Sequence, residues 1–222
     1  MILIKFKIDN YTYFKHNIIM PRIVFYDFET TGLNPFHDSI IEYSFMHHDS
    51  ENNTFSIGSL IKVNSPISSK ITEITGITND MLIDKPTIQE KKEDIFKFIK
   101  DIDRDEDQKI YMVAHNNDHF DKFFFKRIFH GDAEKQTFIK NHVYFIDTIL
   151  LAKIVLPKMR SVSLKTLCKI FNIQEGTHRA DSDTRALSLV YKELIILLGR
   201  YRKVKYSILY TNPELVYNII YN

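Results

Sequence analysis

The feature that most constrains this chain is a short apolar run that ends in two acids and a turn. Residues 22–28 are rich in β-branched and aromatic side chains, which predicts a buried strand, and the Thr-Thr-Gly turn ends it. Asp27 and Glu29 lie two residues apart, so their carboxylates project to the same side of that strand. They stand at its carboxyl end, where open α/β sheets place ligand clefts. Taken alone, the pair fits a strand terminus with solvated acids equally well.

The second segment carries a third acid, Asp121, on the first turn of a helix predicted over residues 118–130. A short buried strand is predicted just before it, over residues 109–114. An isolated acid at this place is more often a partner of the helix dipole than a metal ligand. His115 and Asn116 are interpreted as turn formers, because Asn tolerates strained backbone.

The third segment contains His178 and Asp183 on either side of a predicted helix start. Asp181 or Ser182 is predicted to cap this helix, which runs to about Leu198. His178 then lies on the preceding loop, from which it can reach over the same cleft. The acid five residues later distinguishes it from the other histidines of the chain.

The remaining patterns predict an α/β fold, a mixed sheet of about five strands flanked by helices. Three further strands are predicted over 39–48, 54–63 and 142–146, the first two as a hairpin, and further helices over 87–100, 148–155, 163–171 and from Asn212-Pro213 onward. The predicted organisation is an N-terminal extension (1–20), a catalytic domain (21–199) and a basic, helical C-terminal tail (200–222). The extension is interpreted as an added edge strand or a loose arm, or the functional domain begins at Met20.

Composition sets wide bounds on function. A chain of 222 residues with a net charge of +2 suits one substantial domain and does not by itself indicate a polyanionic partner. The single cysteine, Cys168, excludes an internal disulfide and is predicted to be a core thiol. No apolar run approaches the ~20 residues that span a bilayer, so we expect no membrane partner. We expect an intracellular protein, cytoplasmic or nuclear, and the Ile, Lys and Asn bias fits an AT-rich source such as a large virus.

The three segments together predict a metal-dependent nuclease. Carboxylate oxygens suit Mg²⁺ or Mn²⁺ better than zinc, and two such ions can activate a water and stabilise the leaving oxygen of an in-line displacement. A histidine with an ordinary pKa near ~6.5 can accept the proton of that water. The predicted ligands of the two ions are Asp27, Glu29, Asp121 and Asp183, and the predicted base is His178.

These residues resemble the motifs of the DEDDh 3′→5′ exonucleases of the ribonuclease H-like superfamily. The chain is most similar to the three-prime repair and proofreading epsilon branch: DFETTGL is similar to the first motif, HNNDHFD to the second motif as the three-prime repair exonucleases have it, and HRADSD to the third. The second motif carries one more residue between Asn and Asp than the epsilon subunit usually has. The resemblance covers roughly residues 22–198.

The resemblance also implies substrate contacts. Thr30, Thr31 and Leu33 are expected to line the pocket of the terminal nucleotide, and Ile77 to wedge against the end base. Simple core packing is the alternative for Leu33 and Ile77. Candidate contacts to the nucleic-acid backbone are Lys122, Arg160, Lys165 and the basic cluster of residues 200–206, where a solvated surface is the alternative for each.

The expected function is release of nucleoside monophosphates from single-stranded or frayed DNA 3′ ends. RNA 3′-end trimming is the alternative within the family, and a non-catalytic nucleic-acid-binding adaptor is the alternative of another class. The presence of all five site residues favours an enzyme over the adaptor. A homodimer and a polymerase partner in trans are the protein partners considered.

Overall fold

The computed structural model describes residues 5–8, 11–14, 22–49, 53–102 and 109–222. Two short strands, β1 (Lys5–Ile8) and β2 (Tyr11–Phe14), pair antiparallel in a sheet of their own. The described residues of the N-terminal segment therefore pair with each other and do not add a strand to the edge of the larger sheet.

A mixed five-stranded sheet forms the centre of the fold, as predicted. Its strands lie in the order β5-β4-β3-β6-β7. Strand β3 pairs antiparallel with β4, which pairs antiparallel with β5, and β3, β6 and β7 run parallel. The bounds are β3 Ile23–Thr30, β4 Ile40–His48, β5 Thr54–Leu60, β6 Ile110–Ala114 and β7 Val143–Asp147. The predicted hairpin is thus confirmed, although residues 50–52 of its loop lie outside the described residues.

Ten helices occur among the described residues. They are α1 Ser69–Thr75, α2 Asn79–Leu82, α3 Ile88–Asp101, α4 Asp121–Ile128, α5 Ala133–His142, α6 Thr148–Val155, α7 Leu164–Phe171, α8 Ala180–Arg202, α9 Tyr206–Thr211 and α10 Pro213–Tyr221. Local caps explain several of the starts: Thr87 and Glu90 form a capping box at α3, and the Ser163 hydroxyl accepts from Thr166 N at α7. Helices α1, α2, α5 and α9 were not predicted.

The two faces of the sheet bury separate cores, and β3 contributes to both. Ile23 and Phe25 belong to a cluster with the buried face of α8, whereas Val24, Tyr26 and Phe28 pack with α3 and α4 on the other side. This is the alternation that an extended strand imposes. Cys168 is buried in the α8-side cluster, as predicted for a core thiol.

The C-terminal segment packs on the same core as the sheet. Helix α8 continues past residue 199 to Arg202, and Lys203 ends it in the left-handed conformation with φ 56°. Leu209 of α9 and Val216 of α10 are buried in the α8-side cluster. Within the described residues, no helix is long and apolar enough to cross a bilayer.

Candidate active site

Strand β3 carries the first two acids at the centre of the sheet. Tyr26 and Phe28 are buried, while Asp27 and Glu29, which alternate with them along the strand, are partly exposed on the opposite face. Glu29 lies opposite Glu42 of β4, and the pairing register shifts directly after Glu29. This irregularity ends regular pairing where the two carboxylates emerge, which is a common use of a β-bulge.

The second segment is a turn that is hydrogen-bonded to both neighbouring strands. Asn116 has φ 68°, in agreement with its interpretation as a turn former. The buried Asn117 amide donates to Met112 O at 3.1 Å and to Ile146 O at 3.0 Å, and it accepts from the Tyr26 hydroxyl. The Asp147 carboxylate accepts from the backbone N–H groups of residues 116 and 118, each at 3.1 Å. These bonds fix the start of α4.

Asp121 is the first residue of α4, and its side chain is only 2% exposed. Its Oδ1 atom is buried and has no hydrogen-bond partner among the described residues. A buried carboxylate oxygen without a partner carries a large desolvation cost, which a bound cation would remove. The donor atom is therefore placed as a metal ligand would be.

The third segment is held to the sheet by an ion pair that the sequence did not reveal. Arg179 donates from Nε to the two Glu42 oxygens at 3.1 and 3.0 Å and from Nη2 to Oε1 at 2.6 Å. Glu42 Oε2 also accepts from Ala180 N at 2.9 Å. A strand carboxylate thus caps α8, and the predicted cap at Asp181 or Ser182 is wrong, because the helix already begins at Ala180.

A glycine makes room for the last acid. A methyl group added at Gly176 would lie 1.4 Å from Asp183 Oδ1, so no other residue fits without moving that carboxylate. The loop then reaches His178, which is exposed and has φ 53°. Asp183 follows on the first turn of α8. The donor atoms of Glu29, His178 and Asp183 all lie within 4.8 Å of one another.

The four acids lie close enough to influence one another electrostatically. Burial raises the pKa of Asp27 well above its usual range, and the carboxylates of Asp121, Glu29 and Asp183 raise it further. Burial, Asp183 and Glu42 raise the pKa of Glu29 to about 8, against an opposing effect of Arg179. Burial likewise raises the pKa of Asp121 and of Asp183, although His178 opposes the rise at Asp183.

This mutual repulsion is what divalent cations would relieve. Oxygen donors with one imidazole beside them suit hard ions such as Mg²⁺ and Mn²⁺. The set formed by Asp27, Glu29, Asp121 and Asp183 therefore fits a metal centre, and the unpartnered Asp121 oxygen is the most direct sign of it.

The residues expected to contact a terminal nucleotide differ in accessibility. Thr30 is buried and donates to Gly32 O at 2.6 Å, while Thr31 donates to Asp38 Oδ1 at 3.2 Å. Leu33 is 82% exposed and free to contact a ligand. Ile77 is 0% exposed and packs with Ile41, Ile67 and Leu82, so in this structure core packing describes it.

The three candidate contacts to the nucleic-acid backbone lie on three different elements of the fold. Lys122 follows Asp121 directly and pairs with Asp118 at 2.8 Å. Arg160 is exposed in the loop after α6. Lys165 on α7 lies 3.5 Å from Glu175 and is largely exposed. Only Lys122 adjoins a metal-site residue in sequence.

A family model named RNase T and described as an exonuclease matches residues 24–191. The chain is 32% identical over 173 residues to the DNA polymerase III PolC-type protein of Bacillus subtilis (strain 168) and 32% identical over 185 residues to that of Thermotoga maritima. These matches cover 78% and 82% of this chain but only 11% and 12% of the relatives. The chain thus spans about a tenth of the length of these curated relatives.

Solved structures show the same architecture. Escherichia coli exonuclease I in complex with a dT13 oligonucleotide superposes with a TM-score of 0.64 at 18% identity, covering 86% of this chain and 43% of that one. Exonuclease X in complex with 5′-overhanging duplex DNA superposes with a TM-score of 0.53 at 22% identity, covering 80% and 93%. At these identities the likeness establishes the fold.

Proposed function

The chain belongs to the RNase T exonuclease family, and from this premise we propose that it is a metal-dependent exonuclease that releases nucleoside monophosphates from DNA 3′ ends. The observation that carries the proposal is the convergence of five side chains from three distant segments. The carboxylates of Asp121, Glu29 and Asp183 all raise the pKa of Asp27, and the His178 imidazole lies beside Glu29 and Asp183. Such a group is costly to assemble and is typical of a functional site.

Asp27, Glu29, Asp121 and Asp183 are the proposed ligands of two Mg²⁺ or Mn²⁺ ions. Ions held by these residues would supply the positive charge needed to activate a water and to stabilise the leaving oxygen. The protein backbone fixes the positions of the carboxylates. Asp27 and Glu29 are held by strand pairing, and Asp121 is held by a turn that is bonded to two strands.

His178 is the proposed general base. It lies on an exposed loop, so its imidazole is accessible to the attacking water. Its ring nitrogen lies within 4.8 Å of a carboxylate oxygen of Glu29 and of Asp183, so the proposed base stands directly beside the proposed metal ligands. The same exposure allows the proton to pass on to solvent after each turnover.

Substrate binding is proposed to use both backbone and apolar contacts near the first motif. Thr30 and Thr31 lie at the end of β3, and Leu33 projects from the turn that follows. Lys122, Arg160 and Lys165 are the proposed phosphate contacts. Ile77 remains a proposed contact only if the small cluster around it opens.

The biological setting is also a proposal. The PolC-type relatives are polymerases by name, and this chain matches about a tenth of their length. We propose that it acts in proofreading or repair with a polymerase in trans. A homodimer remains a second possible assembly, and the intracellular location and viral source remain predictions.

The test is degradation of single-stranded DNA labelled at its 5′ end, with Mg²⁺ or Mn²⁺ and with EDTA. We expect a ladder of shortened products with either metal and none with EDTA. The Asp27→Asn variant, which keeps the shape of the side chain, should lose activity on the order of 10³-fold while remaining folded.

Matched RNA of the same sequence separates the two substrate hypotheses, since preferential RNA shortening would select the trimming function. Intact DNA and RNA with both metals over a wide range of protein concentration would contradict the enzyme and leave the adaptor. Full activity of Asp27→Asn would contradict the ligand assignment alone.

A further inference from the structure

A groove of about 550 Å³ lies along β7, the strand at one edge of the five-stranded sheet. Helices α4, α5 and α10 form its walls together with the strand. Its lining combines lysines with aromatic rings, chiefly Lys122, Lys126, Lys140, Tyr144, Phe145 and Tyr217. We call this cavity the β7 groove.

Two of the three lysines of the β7 groove have no acidic partner among the described residues. Lys122 and Lys126 lie one turn apart on α4, with their ammonium groups 5.9 and 5.4 Å from the centre of the Phe145 ring. Lys122 pairs with Asp118 at 2.8 Å, whereas Lys126 and Lys140 have no ion pair within the part of the chain that the structure describes. Burial lowers the pKa of Lys126, and the positive charge of the neighbouring Lys122 lowers it further.

The opposite edge of the sheet provides an internal comparison. A groove of similar volume lies along β5 and also contains lysines, Lys91 and Lys97. There each lysine pairs with an acid in the same groove, Lys91 with Asp94 and Lys97 with Asp101. The unpaired lysines of the β7 groove are therefore not a general property of the sheet edges in this protein.

The aromatic wall offers surfaces on which a base can stack. Tyr144 and Tyr217 lie 5.3 Å apart and nearly perpendicular, and Tyr217 contacts Tyr221 at 4.7 Å between ring centres. Both Tyr144 and Tyr217 are partly exposed. Lysines beside partly exposed rings are the combination that binds single strands without reading their sequence.

The β7 groove is joined to the active site through the start of α4. Lys122 follows Asp121 in the same helical turn. The Tyr221 hydroxyl donates to Asp118 Oδ2 at 2.9 Å and accepts from Asp147 N at 3.2 Å. Asp147 in turn holds the backbone that leads into Asp121. A nucleic-acid strand that occupied both the active site and the β7 groove would therefore pass over the first turn of α4.

We propose that the β7 groove binds a second stretch of the nucleic-acid strand, on the 5′ side of the end that is being hydrolysed. The inference rests on the proposed function, because it assigns a place to the rest of that substrate. Lys126 and Lys140 contact phosphates there, and Tyr217 stacks on a base. The groove thus contributes to the affinity for long strands and leaves the chemical step unchanged.

The experiment compares long and short substrates in the full chain. The double variant Lys126→Ala/Lys140→Ala is matched by Lys91→Ala/Lys97→Ala, which removes the same charge from the β5 groove. Binding of a labelled oligothymidylate of about 20 nucleotides is measured in EDTA by fluorescence anisotropy at several salt concentrations. Hydrolysis of a trinucleotide with Mg²⁺ is measured in parallel.

We expect Lys126→Ala/Lys140→Ala to raise the Kd for the long strand about tenfold and to reduce the slope of log affinity against log salt by about 1.4. Hydrolysis of the trinucleotide should equal that of the unchanged protein. The β5-groove variant should bind the long strand normally, and Lys126→Arg/Lys140→Arg should restore binding. Because binding is measured in EDTA, it does not depend on catalysis. A failure of the proposed hydrolysis would therefore appear only in the trinucleotide assay.

Four results would overturn the inference. One is an unchanged Kd in Lys126→Ala/Lys140→Ala, and another is an equal loss in the β5-groove variant. The third is displacement of the long strand by inorganic phosphate at matched ionic strength, which would make the groove a site for small anions. An equal loss of trinucleotide hydrolysis would also count against it, because the groove would then act on the chemical step.

Discussion

Asp27 and Asp121 are positioned by backbone that lies in the core, whereas His178 and Asp183 are positioned by side chains at the surface of the sheet. The first pair depends on the pairing of β3 and on a turn that is bonded to β6 and β7. The second pair depends on one ion pair, Glu42 with Arg179, and on the space left by Gly176. The site therefore has a sheet-held half and a clamp-held half.

The two halves should respond differently to substitution. Moving the sheet-held half requires a change of strand register or of buried aromatic packing, which also lowers stability. The clamp-held half can be displaced by changing single partly exposed residues, so activity can fall while the fold remains. Two substitutions in the clamp-held half test this difference, and a third tests the repulsion between the acids of the two halves; they follow from the largest expected effect to the smallest.

Gly176→Ala should have the largest effect. The added methyl group must displace the Asp183 carboxylate, and we expect kcat on labelled DNA to fall on the order of 10²-fold, with little change in melting temperature. Gly76→Ala is the matched control, because Gly76 has φ 71° and open space around it. That variant should lose about 1 kcal/mol of stability and keep its activity. An unchanged kcat in Gly176→Ala would show that the space left by Gly176 does not position Asp183 for the reaction.

Arg179→Lys should lower kcat about tenfold, because a lysine keeps the charge but not the fork that binds both oxygens of Glu42. A double-mutant cycle of Glu42→Gln and Arg179→Gln should give a coupling on the order of 1 kcal/mol in unfolding free energy, because Arg179 is partly exposed. Arg185→Lys is the control, since Arg185 pairs with Asp181 on the exposed surface of α8. Equal effects of the two lysine variants would contradict a positioning role for Arg179.

Glu29→Gln should change the pH dependence of stability in the metal-free protein. The folded-state pKa is about 8, above the ordinary value of 4.5, so the folded protein loses stability as the pH rises through this interval. In EDTA, we expect the variant to gain on the order of 1–3 kcal/mol over the unchanged protein at pH 9 and almost nothing near pH 4. Thermal unfolding across this range measures the difference, with Glu73→Gln as the surface control. A gain that does not vary with pH would contradict the proposed repulsion.

The sheet-held half was the predictable one. The apolar runs that form β3 and β6 are local signals, and the structure confirms both strands and the helix that begins at Asp121. The resemblance to the exonuclease family is confirmed by the family model. Helix α5 was missed because Phe138 and Ile139 are adjacent and give no helical periodicity.

The clamp-held half could not be predicted because its determinants are far apart in sequence. Glu42 caps α8 from 138 residues away, so the search for a local cap led to the wrong helix start. Gly176 looks like an ordinary loop glycine until the folded chain brings it against Asp183. Ile77 was assigned a wedge role from the resemblance, and only the folded chain shows it buried among three aliphatic residues.

Helix α8 also has a mechanical consequence. It contains 23 residues, so it is a rod about 34 Å long, with Asp183 near one end and α9 packed on it near the other; α10 packs on α9 in turn. A tilt of about 3° around its middle would shift either end by about 1 Å, which is enough to misalign a reacting group. A fusion or binding partner placed on α9 or α10 that changes the tilt of α8 would therefore also displace Asp183. Activity is retained only if the angle of α8 stays unchanged.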